Sequence, residues 1–180
     1  SLIEVIDYTT TSIGSRVLKK WLNFPLKSIK KLKLRLDFVE ILLDDTHLKE
    51  ELINHLKEIV DIERIASKIA TLKVNPRELV SLKKSIVEIR NIKKIFEKNS
   101  NDLIHKTGKK LVTCNTIFSQ IEKTIKEDVP VSISKGNFIA NGFSKELDEL
   151  RLLLKDGKSM LDKILKKELL ENDIPSLKIG

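Results

Sequence analysis

Apolar residues recur at three- and four-residue spacing along nearly all of the 180 residues. A chain with that period folds into amphipathic helices rather than strands. Ile29, Leu32, Leu36, Val39 and Leu43 form one apolar stripe, and Leu34, Phe38, Ile41 and Leu42 form a second on the same stretch. A helix with two such stripes is expected to be buried on two sides. Leu48, Leu52, Leu56 and Ile59 carry the next helix. Ile62, Ile65, Ala66 and Ile69 carry another, which Asp61 can cap. Aromatic residues make up only 4% of the chain, so the expected core is built of Leu, Ile and Val.

Stops and starts divide the pattern. Gly14 to Leu22 reads as a short helix ended by Asn23-Phe24-Pro25, and Ser28 can cap the helix that follows. Asn75-Pro76-Arg77-Glu78 meets three independent preferences for a helix start, with Asn at the cap, Pro at the first position and Glu at the third. The helix after it runs to about Phe96. Residues 99–109 are polar and read as a loop, and Leu111, Cys114, Phe118, Ile121 and Ile125 mark a further helix. Val129 to Ile139 is β-rich around Lys135-Gly136-Asn137, which predicts a small hairpin or extended excursion. Ser144 can cap a last helix through Leu147, Leu150, Leu154, Leu161 and Leu165 to about Glu171, a span of roughly 40 Å. Gly157 breaks its apolar spacing and is its expected weak point. The expected architecture is mainly α: a multi-helix core bundle, one long lever-like helix and a small β-like excursion near 129–141. Residues 1–143 form the helical core region, and 144–180 form the long helix and the start of a strand.

Charge narrows the function classes. The net charge is +8, and no acidic residue lies between Asp7 and Asp37. Residues 37–63 hold nine acids against two lysines, and residues 64–126 hold fifteen Lys or Arg against five acids. Such blocks serve intramolecular complementarity and solubility first, and a nucleic-acid partner second. Lys27, Lys30, Lys31, Lys33 and Arg35 are dense enough to meet phosphates. They lack the interleaved aromatics that single-strand stacking requires. No apolar run approaches the ~20 residues of a membrane span. The lone Cys114 excludes an internal disulfide and fits a reducing, cytoplasmic setting.

Catalytic patterns are missing. Gly108-Lys109-Lys110 resembles the end of a phosphate-binding loop, but Leu103 stands where the first Gly belongs and a Lys replaces the metal-binding hydroxyl residue. His47, His55 and His105 are far apart, and Cys114 has no partner Cys, so no metal spacing exists. The reading is no catalytic residue, no bound cofactor and no metal. Trp21, the only Trp, is expected to anchor a core, with ligand stacking as the lesser reading. Arg16 and Arg64 read either as buried ion-pair partners or as surface residues.

The most distinctive block is T-x-x-G-S-R-x-L-x-x-W-L-x-x-P-L, spanning Thr11, Gly14, Ser15, Arg16, Leu18, Trp21, Leu22, Pro25 and Leu26. With Leu2 to Asp7 before it, it resembles the start of the core or lever domain, domain III, of the MutS family of DNA mismatch repair proteins. Further segments resemble that family in order: Arg35-Leu36-Asp37-Phe38-Val39-Glu40; Asp61-Ile62-Glu63-Arg64; Asn75-Pro76-Arg77-Glu78-Leu79; Gly142 to Arg151, including Leu147 and Asp148; and Ile174 to Gly180. Phe143 stands where the family usually has Tyr, Asn137 where it has Gly, and 97–128 matches poorly.

The resemblance implies a piece of a larger protein, a dimeric ATPase that clamps mismatched duplex DNA and recruits downstream repair factors. ATP and Mg would belong to parts of that parent outside this chain. The partners implied are other domains of the same chain, duplex DNA through the parent, a second parent subunit and repair factors, with no membrane. The setting would be cytoplasmic, nucleoid-associated if bacterial. The segment would be the mechanical and allosteric link between the DNA clamp and the nucleotide-binding domain. Gly14, Arg16, Trp21, Pro25, Asp61, Arg64, Pro76, Leu147, Asp148 and Arg151 would be its structural signature. Helices that complete this core in the family follow the clamp, which predicts an exposed, self-associating apolar strip along 147–165. Two alternatives stand beside this reading: a free-standing helical protein-interaction adaptor, and a MutS paralogue working in recombination.

Overall fold

The computed structural model describes residues 2–130 and 133–172, with side chains to Leu161 apart from Lys135 and Lys158. Among these residues it is helical, without a sheet. The helices are α1 (Leu2–Ile6), α2 (Ser12–Asn23), α3 (Ile29–Asp44), α4 (Thr46–Lys57), α5 (Ile62–Ala70), α6 (Pro76–Lys98), α7 (Asp102–Lys110), α8 (Asn115–Thr124) and α9 (Lys145–Asn172). They fall into two units, one up to Phe138 and one from Ile139 onward.

In the first unit α6 is the spine, 23 residues or ~34 Å long. Its start is set by Asn75, whose side chain accepts from the Arg77 and Glu78 amides, while Glu78 accepts from the Asn75 amide. Pro76 occupies the first turn, where its missing N–H costs no bond. The early part of α6 gives Val80, Leu82 and Ile86 to one core cluster, with Ile65 of α5 and Ile121 of α8. The later part gives Ile92 and Phe96 to another, with Leu48 and Leu52 of α4 and Ile104 of α7. Ser85 is completely buried between them, accepting from the Val60 amide at 3.0 Å and donating to the Ser81 carbonyl at 3.1 Å. A buried hydroxyl with both roles used has its desolvation cost offset by the bonds it makes.

Several expectations are corrected. Residues 99–109 are not a loop: Asn101 accepts from the Leu103 and Ile104 amides and starts α7. Ile104, fully buried, and Gly108 four residues on anchor this short helix, and the glycine carries no apolar side chain that would show a period. The next helix begins at Asn115 rather than Leu111, after a left-handed Cys114 at φ 44°. The β-like excursion holds a 3-10 turn, Ile133–Lys135, with Gly136 and Asn137 at positive φ. Extended pairing is also present there as a minor feature, with the Lys126 amide donating to the Phe138 carbonyl at 2.9 Å. Residues 131–132 of that excursion, and the extended segment expected over 174–180, lie outside the described residues.

The largest correction concerns α3. Phe38, Ile41 and Leu42 pack against the α4–α6–α7 cluster. The opposite stripe, Ile29, Leu32, Leu36, Val39 and Leu43, is exposed. The two-stripe pattern is present, but the first unit covers only part of one of them, since Leu34 at the start of the second stripe is exposed too.

In the second unit, α9 starts where Ser144 Oγ accepts from the Leu147 amide at 3.3 Å. Gly142, at φ 82°, turns the chain so that its amide donates to Asp148 Oδ2 at 2.6 Å. Leu150, Leu152, Leu153, Leu154, Met160 and Leu161 are exposed along α9.

Candidate functional site

The distinctive opening block folds into a braced corner. Asp7, just past α1, accepts from the Thr9 amide and hydroxyl at 3.2 and 2.6 Å and from Ser15 Oγ of α2 at 2.5 Å. The Ser15 and then the Thr9 hydrogen bonds hold its carboxyl below the ordinary range. Thr11 caps α2 by accepting from the Gly14 amide at 2.9 Å. A Cβ at Gly14 would stand 3.1 Å from Thr11 Oγ1 and 3.2 Å from Thr9 Cβ, so the turn favours glycine there. Gly14 therefore serves close approach within the corner.

One turn on, Arg16 reaches the start of α5. Its NH1 and NH2 donate to the two oxygens of Asp61 at 2.7 and 2.8 Å. Nε and NH2 donate to Glu63 Oε2 at 3.0 and 2.6 Å. Ser12 Oγ adds a 3.2 Å bond to Asp61. The fork is the geometry that guanidinium, and not ammonium, supplies. Asp61 also caps α5, accepting from the Arg64 amide at 3.1 Å. The Arg16 hydrogen bonds, then the Arg64 amide, hold the Asp61 carboxyl far below its ordinary range, and Asp61 and then Glu63 push Arg16 up. Arg16 is 45% exposed, Asp61 21% and Glu63 65%, so the junction sits at the surface.

Of the expected signature residues, Gly14, Arg16 and Asp61 meet here, with Arg64 joining through its backbone. The Arg64 side chain is exposed, and its charge adds a smaller favourable field at Glu78. That carboxyl is held low chiefly by its hydrogen bond from Lys68 and then by the Asn75 amide. Trp21 is not the core anchor expected: it is 45% exposed, with the Arg35 guanidinium 3.7 Å from the ring centroid. A cation–π stack stands where core packing was expected, because α2 buries no residue. Pro25 lies in the connection between α2 and α3, and Pro76 opens α6. Lys27, Lys30, Lys31 and Lys33 are exposed in that connection and along the start of α3, whose first turn holds no acid. Leu147, Asp148 and Arg151 belong to the second unit. There Arg151 donates to Asp148 and Asn141, both at 3.1 Å, and to the Ile139 carbonyl at 2.9 Å, fixing the turn before α9.

Sequence reasoning missed Asp7 in the corner and Ser12 and Glu63 in the junction. Glu63 was legible in D-I-E-R as a second acid beside the cap. Asp7 and Ser12 carry no periodic signal, because their partners are set by a loop.

Elsewhere in the first unit, apolar packing dominates the interior. A cavity of about 390 Å³ between α3, α4 and α6 is lined by Phe38, Leu42, Leu52, Leu56, Ile92 and Phe96, with Lys49 the one charged neighbour. It lacks the polar groups that would orient a nucleotide. Gly108 could not cradle a phosphate either. It is buried against α6, where a Cβ would stand 2.7 Å from Phe96 Cβ. His55 pairs with Glu88 at 2.6 Å, and His105 Nδ1 lies 2.9 Å from the Glu97 carbonyl. No His, Cys, Asp or Glu group among the described residues could hold a metal. No described helix is long and apolar enough to cross a membrane.

Comparison with known proteins accords with this helical architecture. A family described as MutS domain III matches residues 1–176. The chain is similar to the DNA mismatch repair protein MutS of Christiangramia forsetii, with 41% identity over 180 residues, 100% of this chain and 21% of that protein. It is 39% identical to that of Cytophaga hutchinsonii over 179 residues, 99% and 21% respectively. It is 39% identical to that of Clostridium perfringens over 180 residues, 100% and 20%. The chain thus spans about a fifth of the length of these relatives. Matched along nearly its whole length, with the Arg16–Asp61 junction built from two of the segments that carry the likeness, the chain belongs to the MutS domain III family.

Proposed function

We propose that this segment is the mechanical and allosteric link of a MutS-type mismatch repair ATPase, joining its DNA clamp to its nucleotide-binding domain. The observation that carries the reading is α6, a continuous helix that supplies side chains to both core clusters of the first unit. A helix shared in this way makes its neighbours move as one body and concentrates motion at the ends. Binding of mismatched DNA, ATP and Mg is assigned to the parent protein, as are homodimer formation, recruitment of repair factors and a cytoplasmic setting. The segment itself supplies no catalytic group. The lysines from Lys27 to Lys33 would add at most a sequence-independent attraction to phosphates.

Softening the long helix tests the link. In the parent protein, Asp156, Lys158 and Ser159 are replaced by glycine beside Gly157, which lowers helix propensity at each site. The expected result is DNA and nucleotide affinities each within about twofold of the original, while the effect of ATP on DNA affinity falls by about fivefold or more. Unchanged coupling, with reduced helicity in α9, would overturn the reading.

A further inference from the structure

We infer that α1–α2 is a docked arm held by the Arg16 clasp, and that it swings free about residues 24–28 while α4–α8 stays folded. The inference deepens the link reading, on which it rests for its purpose, by naming a joint inside the segment.

Three features of the arm carry it. Its two helices are tied to each other, because Asp7 bonds both Thr9 and Ser15. Neither helix buries a residue; Ile3, Ile13 and Leu18 are half-buried, and Val17, Trp21 and Leu22 are exposed. The extensively packed helix pairs of the first unit are α3–α4, α4–α6, α5–α6, α6–α7 and α6–α8, and none includes the arm. The arm is therefore held largely by polar contacts: the Arg16 fork and Ser12 on α5, and Trp21 stacked with Arg35. Such attachments are directional and weaken as salt screens them, unlike the apolar clusters beneath. The connection that would hinge, residues 24–28, lies between α2 and α3 and contains Pro25.

Release has a clear signature. A helix of about twelve residues is marginal alone in water, so α2 loses its protection once undocked. Amide hydrogen exchange of the chain, mapped by segment, reads this directly. Trp21, the only Trp, gives a second readout through its emission and its quenching by iodide. The variants are Arg16→Gln, which removes the fork, and Asp61→Asn, which keeps an oxygen to cap α5.

Exchange over residues 12–23 is expected to rise about tenfold or more in either variant, and in the original chain between about 50 mM and 1 M salt, with Trp21 more readily quenched. Exchange over residues 76–98 is expected to stay within about twofold. Unchanged protection of residues 12–23 would overturn the inference, and so would a rise shared by residues 76–98. The two readings fail separately. Arm and body exchanging together removes the clasp and leaves the softened-α9 test standing. Arm release together with unchanged coupling in the softened-α9 parent supports the clasp and removes the link.

Discussion

The guanidinium of Arg16 grips both carboxylate oxygens of Asp61, 45 residues along the chain, at 2.7 and 2.8 Å. The same carboxylate caps α5, so it both starts a helix and receives one. Substitutions separate these duties. Asp61→Asn keeps a capping oxygen and loses the ion pair, whereas Asp61→Ala loses both. Thermal unfolding followed by circular dichroism is expected to rank the original above Asn and Asn above Ala. Equal midpoints for Asn and Ala would remove the capping role.

Acid weakens the first unit in a defined window. Asp61, Asp7 and Glu78 all titrate below their ordinary values, 3.8 for Asp and 4.5 for Glu, because hydrogen bonds favour their ionised forms. A carboxyl whose folded value is depressed stabilises the fold above its unfolded value, and that stabilisation is lost as pH falls through the folded one. The urea midpoint is therefore expected to hold from pH 7 to about 5 and then fall steadily below about 4. In Arg16→Gln, the starting midpoint is lower and the fall shallower.

Core lesions are expected to be the costly ones. Ile104 is fully buried, and Ile104→Ala should cost about 2–5 kcal/mol in denaturant unfolding. Gly108→Ala places a methyl 2.7 Å from Phe96 Cβ, and overpacking there should cost about 1–3 kcal/mol. Leu34→Ala, at an exposed site, should cost well under either.

The open stripe of α3 and the exposed leucines of α9 should make the isolated chain associate. Leu36→Glu, at a position 60% exposed, is expected to leave the unfolding midpoint nearly unchanged. Sedimentation velocity should show less association in that variant, and less again with Leu153→Glu added. A strictly monomeric original chain at about 100 μM would count against an open apolar surface of functional size.

The purified segment is expected to hydrolyse no ATP and to bind duplex DNA more weakly than micromolar at physiological salt, as the non-specific range implies. Phosphate release and fluorescence anisotropy measure the two. Turnover above background, or a submicromolar Kd, would contradict the link reading.

Helix starts were legible wherever one side chain sets them locally. Ser28, Asp61, Asn75 and Ser144 all cap as their spacing implies. Apolar stripes were legible too, but a stripe records what a surface suits, not what covers it. The open face of α3 and the exposed Trp21 were therefore misread as buried. α7 was invisible because its two buried positions are Ile104 and Gly108, and a glycine adds no apolar side chain to a repeated pattern. The Arg16 fork joins residues whose separation no local rule predicts, and the family likeness marked its ends without revealing the bond.

Every apolar side chain buried among the described residues lies between Leu48 and Val129. The buried members of both core clusters, the Ser85 stitch and the α6–α7 contact at Gly108 lie within that stretch, while Phe38, Ile41, Leu42 and Phe138 pack against the clusters from outside it. The first three helices thus form a mantle, which adds half-buried α3 side chains to a kernel whose fully buried ones are its own. A shortened chain from Asp45 to Pro130 would keep the kernel's buried side chains and should unfold cooperatively. Substitutions in the mantle would alter what the kernel can be attached to before they alter whether it folds.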